Sequence, residues 1–180
     1  EGVKYVFGLI GSATMELFDA LYDTKDIKFI DVRDERTGAH MADGYARASG
    51  QPGIVIAGQN GPGATNLVTG IAQANAAFSP VISLAGAIAS EHVGKDAFQE
   101  IDQQVLFEPI TKKTFSVKQT EKIPYILNEA FNLALTPKCG PVHVNLPRDI
   151  LTNNANFAEF NKHHNNILPK ASKENLTKAI

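Results

Sequence analysis

Gly53-Ile54-Val55-Ile56-Ala57 runs directly into Gly58-Gln59-Asn60-Gly61-Pro62-Gly63, and then into Ala64-Thr65-Asn66-Leu67-Val68-Thr69-Gly70-Ile71. The first five residues are small or apolar and lack a two-residue alternation, which predicts a strand buried on both faces. Glycines and a proline break it. Beyond the break, Leu67, Ile71, Ala74 and Phe78 recur at helical spacing and predict a helix with one apolar face. A buried strand, a turn and a helix in succession form the repeating unit of a parallel α/β sheet.

The same unit repeats in both directions. Residues 4–10 (KYVFGLI) predict a strand that breaks at Gly11-Ser12. A helix follows from about Thr14, with Met15, Leu17, Phe18 and Leu21 on its apolar face. Residues 27–32 (IKFIDV) predict the next strand, with Asp34-Glu35 just past its end. A helix over 36–49 carries Gly38, Ala42 and Ala46 at every fourth position, so one side is nearly bare; Gly50 and Pro52-Gly53 close it. Downstream, residues 80–85 predict a strand ending at Gly86. A loop around Phe98-Gln99-Glu100, a strand at 115–117, a helix near 123–135 and a strand at 141–146 follow. The expected fold is α/β, a parallel sheet of about six strands flanked by helices, spanning residues 1–150. Residues 151–180 are asparagine-rich and read as a linker toward a middle domain, with a further helix beginning within 169–180.

A chain of 180 residues with 43 % apolar and 20 % charged residues has the composition of one globular domain with a sizeable core. Its formal charge of −2, without blocks of like charge, gives no reason to expect a nucleic-acid or acidic-membrane partner. No apolar run approaches the length of a membrane span. Cys139 is the single cysteine, so no internal disulfide forms, and no Cys/His spacing resembles a zinc site. A reducing, cytoplasmic location is the expectation. The opening Glu1-Gly2-Val3-Lys4 shows neither an initiator methionine nor a signal peptide, as expected of a chain starting inside a longer one.

Ligands of open parallel sheets sit at the carboxyl ends of strands. The segments around Ser12, Glu35 and Asn60 each follow a strand, so they are expected along one edge of the sheet. Singly, each has a bland reading. An acid after a strand commonly complements a helix dipole. A glycine loop at a helix start admits an anion or is merely a tight turn, and this one matches neither the Walker nor the dinucleotide fingerprint.

Taken together they are more specific. Residues 34–47 (DERTGAHMADGYAR) resemble the glutamate-bearing segment of thiamine-diphosphate enzymes, and residues 60–71 resemble that family's glycine-proline-glycine segment. Asp96-Ala97-Phe98-Gln99-Glu100 is similar to the substrate-side loop of acetolactate synthases. Gly140-Pro141-Val142 through Leu146-Pro147-Arg148-Asp149 is similar to the segment that closes the domain. The resemblance covers roughly residues 3 to 151.

It implies that Glu35 hydrogen-bonds N1′ of the cofactor's aminopyrimidine and promotes loss of the thiazolium C2 proton, a position aspartate is too short to hold. Gly61, Pro62, Gly63 and Asn66 would line the cofactor. Gln99 would act with Glu35 in catalysis, and Ser12, Ala13, Phe98 and Arg148 would face the substrate. On this reading the anion role of the glycine loop is set aside. Diphosphate and Mg²⁺ belong to a domain outside this chain, and FAD would bind a middle domain. The site would be completed by a second subunit in a homo-oligomer, with a 2-oxo acid or aldehyde as substrate, and the chain by itself would be inert. His40, His92 and His143 are read as packing or solvent-facing residues and His163-His164 as incidental. Two features depart from acetolactate synthases. Asp34-Glu35-Arg36 stands where many carry His-Glu-Gln, and the 8–13 and 58–60 runs lean toward sulfoacetaldehyde acetyltransferases. A noncatalytic assembly relative and a plain nucleotide-binding module are the further alternatives.

Overall fold

A computed structural model describes residues 1–157 and 172–180. Six strands form one all-parallel sheet: β1 (Tyr5–Leu9), β2 (Lys28–Asp31), β3 (Gly53–Ala57), β4 (Val81–Ala87), β5 (Lys113–Ser116) and β6 (Val142–Pro147), in the order β2-β1-β3-β4-β6-β5. The helices are α1 (Met15–Tyr22), α2 (Glu35–Ser49), α3 (Pro62–Ala76), α4 (Gln103–Phe107), α5 (Ile123–Leu135), α6 (Arg148–Thr152) and α7 (Lys173–Ala179). Among the described residues, no helix is long and apolar enough to cross a membrane.

Side chains alternate across the strands and build two cores. On one face, Val6, Ile54, Ile56, Ile82, Val142 and Val144 pack with Phe18 of α1, Ala130 and Phe131 of α5 and Ile150 of α6. On the other, Phe7, Val55, Ala57 and Ala85 meet Ala39, Ala42 and Ala46 of α2, Leu67 and Ile71 of α3, and Phe107 of α4. Each fully buried large aliphatic side chain contributes on the order of 1.5–3 kcal/mol. A sheet covered on both faces explains why its central strands lack polar alternation.

Four details differ from the sequence-based expectations. Met15 is half exposed and leaves the apolar face of α1 to Leu17, Phe18 and Leu21. Phe78 lies beyond α3 with φ 54°, its ring half exposed under the Lys138 ammonium, so the helical spacing outlasts the helix. Strand β4 does not stop at Gly86 but continues to Ala87, because Gly86 is where Ala13 packs against the strand. The loop after β4 contains a short helix, α4, that no periodicity announces. At the far end, Leu151 still packs on the core, and α7 falls within the helix expected over 169–180. Asn161 to Asn166, with His163-His164, lie outside the described residues.

Candidate active site

Because β2, β1 and β3 are adjacent, the segments that follow them meet at one edge of the sheet. The Ala13 amide donates to the Gly58 carbonyl at 3.0 Å, joining the turns after β1 and β3. Ser12 donates through its hydroxyl to Gln59 Oε1 at 3.0 Å, and Gln59 Nε2 donates to Gln99 Oε1 at 2.8 Å. Ser12 and Gln99, far apart in sequence, are thus bridged by Gln59.

Glu35 is the first residue of α2. The residue before it, Asp34, is extended and caps the helix by accepting from the Arg36 amide at 2.8 Å. Arg36 also pairs with Asp34, so both neighbours that depart from the acetolactate synthase pattern point away and bond each other. Glu35 turns the other way and is only 4 % exposed. Asn66 of α3 donates through Nδ2 to Glu35 Oε2 at 2.9 Å. A methyl group on Gly63 would stand 3.0 Å from Glu35 Oε1, so only glycine leaves that side of the carboxylate open. A glutamate that merely complemented a helix dipole would stay at the surface; this one is buried against the glycine turn.

Gly61 has φ 59° and ψ −102°, a region L side chains rarely enter, and a Cβ there would collide with the Gln99 carbonyl oxygen. Its amide donates to Gln103 Oε1 at 3.0 Å, and Pro62 has no N–H to offer. The Gly61 amide at this helix start is therefore taken up internally, which counts against the anion reading. Asn60 Nδ2 donates to the carbonyls of Phe98 and Gln99 at 3.3 and 3.1 Å, holding the substrate-side loop onto the turn. Within that loop Asp96 and Gln99 have positive φ, of 53° and 61°. Glu100 accepts from the Gly94 and Ala97 amides, and these bonds hold its carboxyl below the usual range.

Glu35, Gly61, Gly63 and Asn66 come together, with Pro62 exposed at the head of α3, and Ser12 and Gln99 join through Gln59. Ala13 is buried beneath them. Phe98 is 83 % exposed, so any pocket it shapes needs a further wall. Arg148 is exposed at the head of α6 and joins none of these contacts. A cleft of about 450 Å³ is lined by Asn60, Gln99, Gln103, Asn145 and Pro147 among others, but not by Glu35. His40 and His92 are exposed, whereas His143 is fully buried and stacks on Phe107 with centroids 3.7 Å apart. Gln59, Gln103 and Asn145 carry contacts that sequence reasoning missed; a single amide side chain in a turn, a short helix or a strand leaves no periodic signal.

The fold is a parallel α/β domain with a buried carboxylate facing a glycine turn at the strand ends. The chain belongs to the family described as "Thiamine pyrophosphate enzyme, N-terminal TPP binding domain", whose model matches residues 1–106. It is 52 % identical over 150 residues to the probable acetolactate synthase large subunit of Methanocaldococcus jannaschii, covering 83 % of this chain and 25 % of that protein. Identity to acetolactate synthase isozyme 3 large subunit of Escherichia coli is 48 % over 151 residues, 84 % of this chain and 26 % of the relative. With the acetolactate synthase large subunit of Lactococcus lactis it is 39 % over 182 residues, 99 % and 32 %. The chain thus spans about a quarter to a third of the length of these relatives.

Proposed function

We propose that this chain is the cofactor-activating domain of an enzyme that cleaves a 2-oxo acid or related carbonyl donor and transfers the two-carbon unit, as an acetolactate synthase does. One observation carries the reading: the Glu35 carboxylate is buried at the head of α2, oriented by Asn66 and open toward Gly63. Those residues fit an aminopyrimidine ring, since the turn has no side chain in the way and the acid sits at its wall. Bound thiamine diphosphate would supply the carbon nucleophile that attacks the donor carbonyl. Glu35 would share a proton with the pyrimidine through Oε1, while Asn66 holds Oε2 and keeps the carboxylate from rotating. Gln99, with Ser12 behind it through Gln59, faces the substrate. Arg148 and Phe98 would act there only once further walls are in place. By the family resemblance the diphosphate and Mg²⁺ would be held by another domain, any FAD by a middle domain, and the site completed by a second subunit. The acceptor is set at this substrate end, where Gln59 and Asn60 lean toward the sulfoacetaldehyde acetyltransferases.

C2-proton exchange on thiamine diphosphate bound to the full-length protein with Mg²⁺ tests the assignment. Replacing Glu35 with Gln is expected to slow exchange by about 10²–10⁴-fold, the range of a positioned acid or base. Exchange indifferent to Glu35→Gln, or a wild-type protein that binds no cofactor, would favour the noncatalytic assembly role.

A further inference from the structure

We infer that Gln103 is a positioning residue for the Gly61-Pro62-Gly63 turn, holding the Gly61 amide through a buried chain of hydrogen bonds whose polarity is fixed from end to end. The inference deepens the cofactor-binding reading and rests on it for its functional consequence.

The chain of contacts begins in the sheet. Ser83 of β4 pairs in register with His143 of β6, and its Oγ lies 2.8 Å from His143 Nδ1. His143 Nε2 lies 2.9 Å from Asn145 Oδ1, which also accepts from Gln103 Nε2 at 2.7 Å. Gln103 Nε2 further donates to the Gly86 carbonyl at 3.1 Å, and Gln103 Oε1 accepts from the Gly61 amide. Gln103, Asn145, His143 and Ser83 are each at most 4 % exposed.

Backbone groups remove the usual ambiguity of amide and imidazole orientation. The Gly61 N–H can only donate and the Gly86 carbonyl can only accept, so the Gln103 amide has one orientation. Asn145 must then present its oxygen to Gln103. His143 must donate to that same oxygen through Nε2–H, leaving Nδ1 bare to accept from the Ser83 hydroxyl. Burial keeps the imidazole neutral, with its pKa lowered to about 3. Four buried polar side chains are costly where apolar ones would pack. What they achieve is to satisfy a backbone N–H that the helix cannot. Gly61 precedes α3, has a positive φ and is buried, so its amide would otherwise be an orphan. The turn that faces Glu35 is thereby tied to the centre of the sheet.

Two measurements on the full-length wild-type protein without cofactor come first. Nitrogen-15 spectra of labelled histidine are expected to show His143 as the neutral Nε2–H tautomer between pH 7 and 5, and hydrogen exchange is expected to show the Gly61 amide protected. A Nδ1–H tautomer, or a Gly61 amide exchanging at the rate of an open loop, overturns the inference. These outcomes stand even if the protein binds no thiamine diphosphate, which would sink only the functional reading. The third measurement is a thiamine diphosphate titration, with Mg²⁺, of Gln103→Met, a variant of similar shape without either amide group. Affinity is expected to fall at least tenfold as Gly61 exchange accelerates. Wild-type affinity with wild-type exchange would show that Gln103 positions nothing.

Discussion

The face of the sheet that carries Glu35 is covered in two different ways. Under α2 and α3, contact is made by leaving side chains out: Gly53 lies against the Ala42 backbone, Gly70 against Ala39, and Gly38 against Val55. Under α4, contact is made by putting polar groups in: Ser83, His143 and Asn145 stand where the pattern calls for apolar residues, and Phe107 and Gln103 cover them. The first region fixes distance, because backbones separated by hydrogen atoms alone have one way to approach. The second fixes orientation, because the Gly61 amide and the Gly86 carbonyl leave the amide and imidazole groups between them one way round. The candidate site draws on both. Glu35 and Gly63 are brought together by the close packing of α2 on α3, and Gly61 is aimed by the polar chain.

If closeness is what the first region supplies, filling it should be severe. A Cβ on Gly53 would overlap the Ala42 carbonyl oxygen and backbone carbons, none of which is a flexible side-chain end. Gly53→Ala is therefore expected to destabilise the domain by about 3 kcal/mol or more, at the upper end of overpacking. Urea denaturation would read it, and a loss below about 1 kcal/mol would mean that α2 slides freely on β3.

The polar region should instead respond to pH. The His143 imidazole has its pKa lowered to about 3, burial being the larger cause and the Asn145 hydrogen bond a partial offset. The unfolded imidazole titrates near 6.5. Between those values the unfolded chain binds a proton that the folded chain refuses, so stability rises with pH. The contribution is fully present above about pH 6.5 and is lost as pH falls toward 3. At pH 5 the expected loss relative to pH 8 is about 2 kcal/mol. In His143→Leu the baseline drops, because Ser83 and Asn145 lose a partner, but the slope between pH 7 and 5 should flatten. An unchanged slope would place the titrating group elsewhere.

The two regions also differ in how far they can be read from sequence. Gly38, Ala42 and Ala46 at every fourth position, and the uninterrupted Gly53–Ala57 strand, announce close packing because the packing requires small residues at a fixed period. Glu35 and the glycine turn were readable through their joint resemblance to one family, and Asn66 with them. Gln103 was not. It opens a five-residue helix too short for any period, and its partners Asn145 and His143 alternate with valine and leucine as a half-exposed strand would. A buried polar chain is defined by cross-strand register, Ser83 opposite His143, and register is a property of the folded sheet. Met15 and Phe78 mislead for the complementary reason: apolar residues at helical spacing continue past the helix face or end that can bury them.

The smallest effect sharpens the comparison most, since it asks which glycines the close-packed region needs. Gly44 lies in the middle of α2, six residues after Gly38, yet a Cβ there would meet nothing within 4 Å, whereas one on Gly38 would stand 3.2 Å from Val55 Cγ2. Gly44 is exposed and its φ is not positive, so within this chain it has the entropic cost of glycine without a packing reason for it. Gly44→Ala is expected to raise stability by about 0.5–1 kcal/mol, with Gly38→Ala moving it the other way. Melting temperatures of the two variants decide it. Should Gly44→Ala destabilise the full-length protein, α2 must be covered at that point by something beyond this chain. Its outer face would then be packed as closely as its inner one, and the absence of a side chain would mark an assembly contact as well as a core.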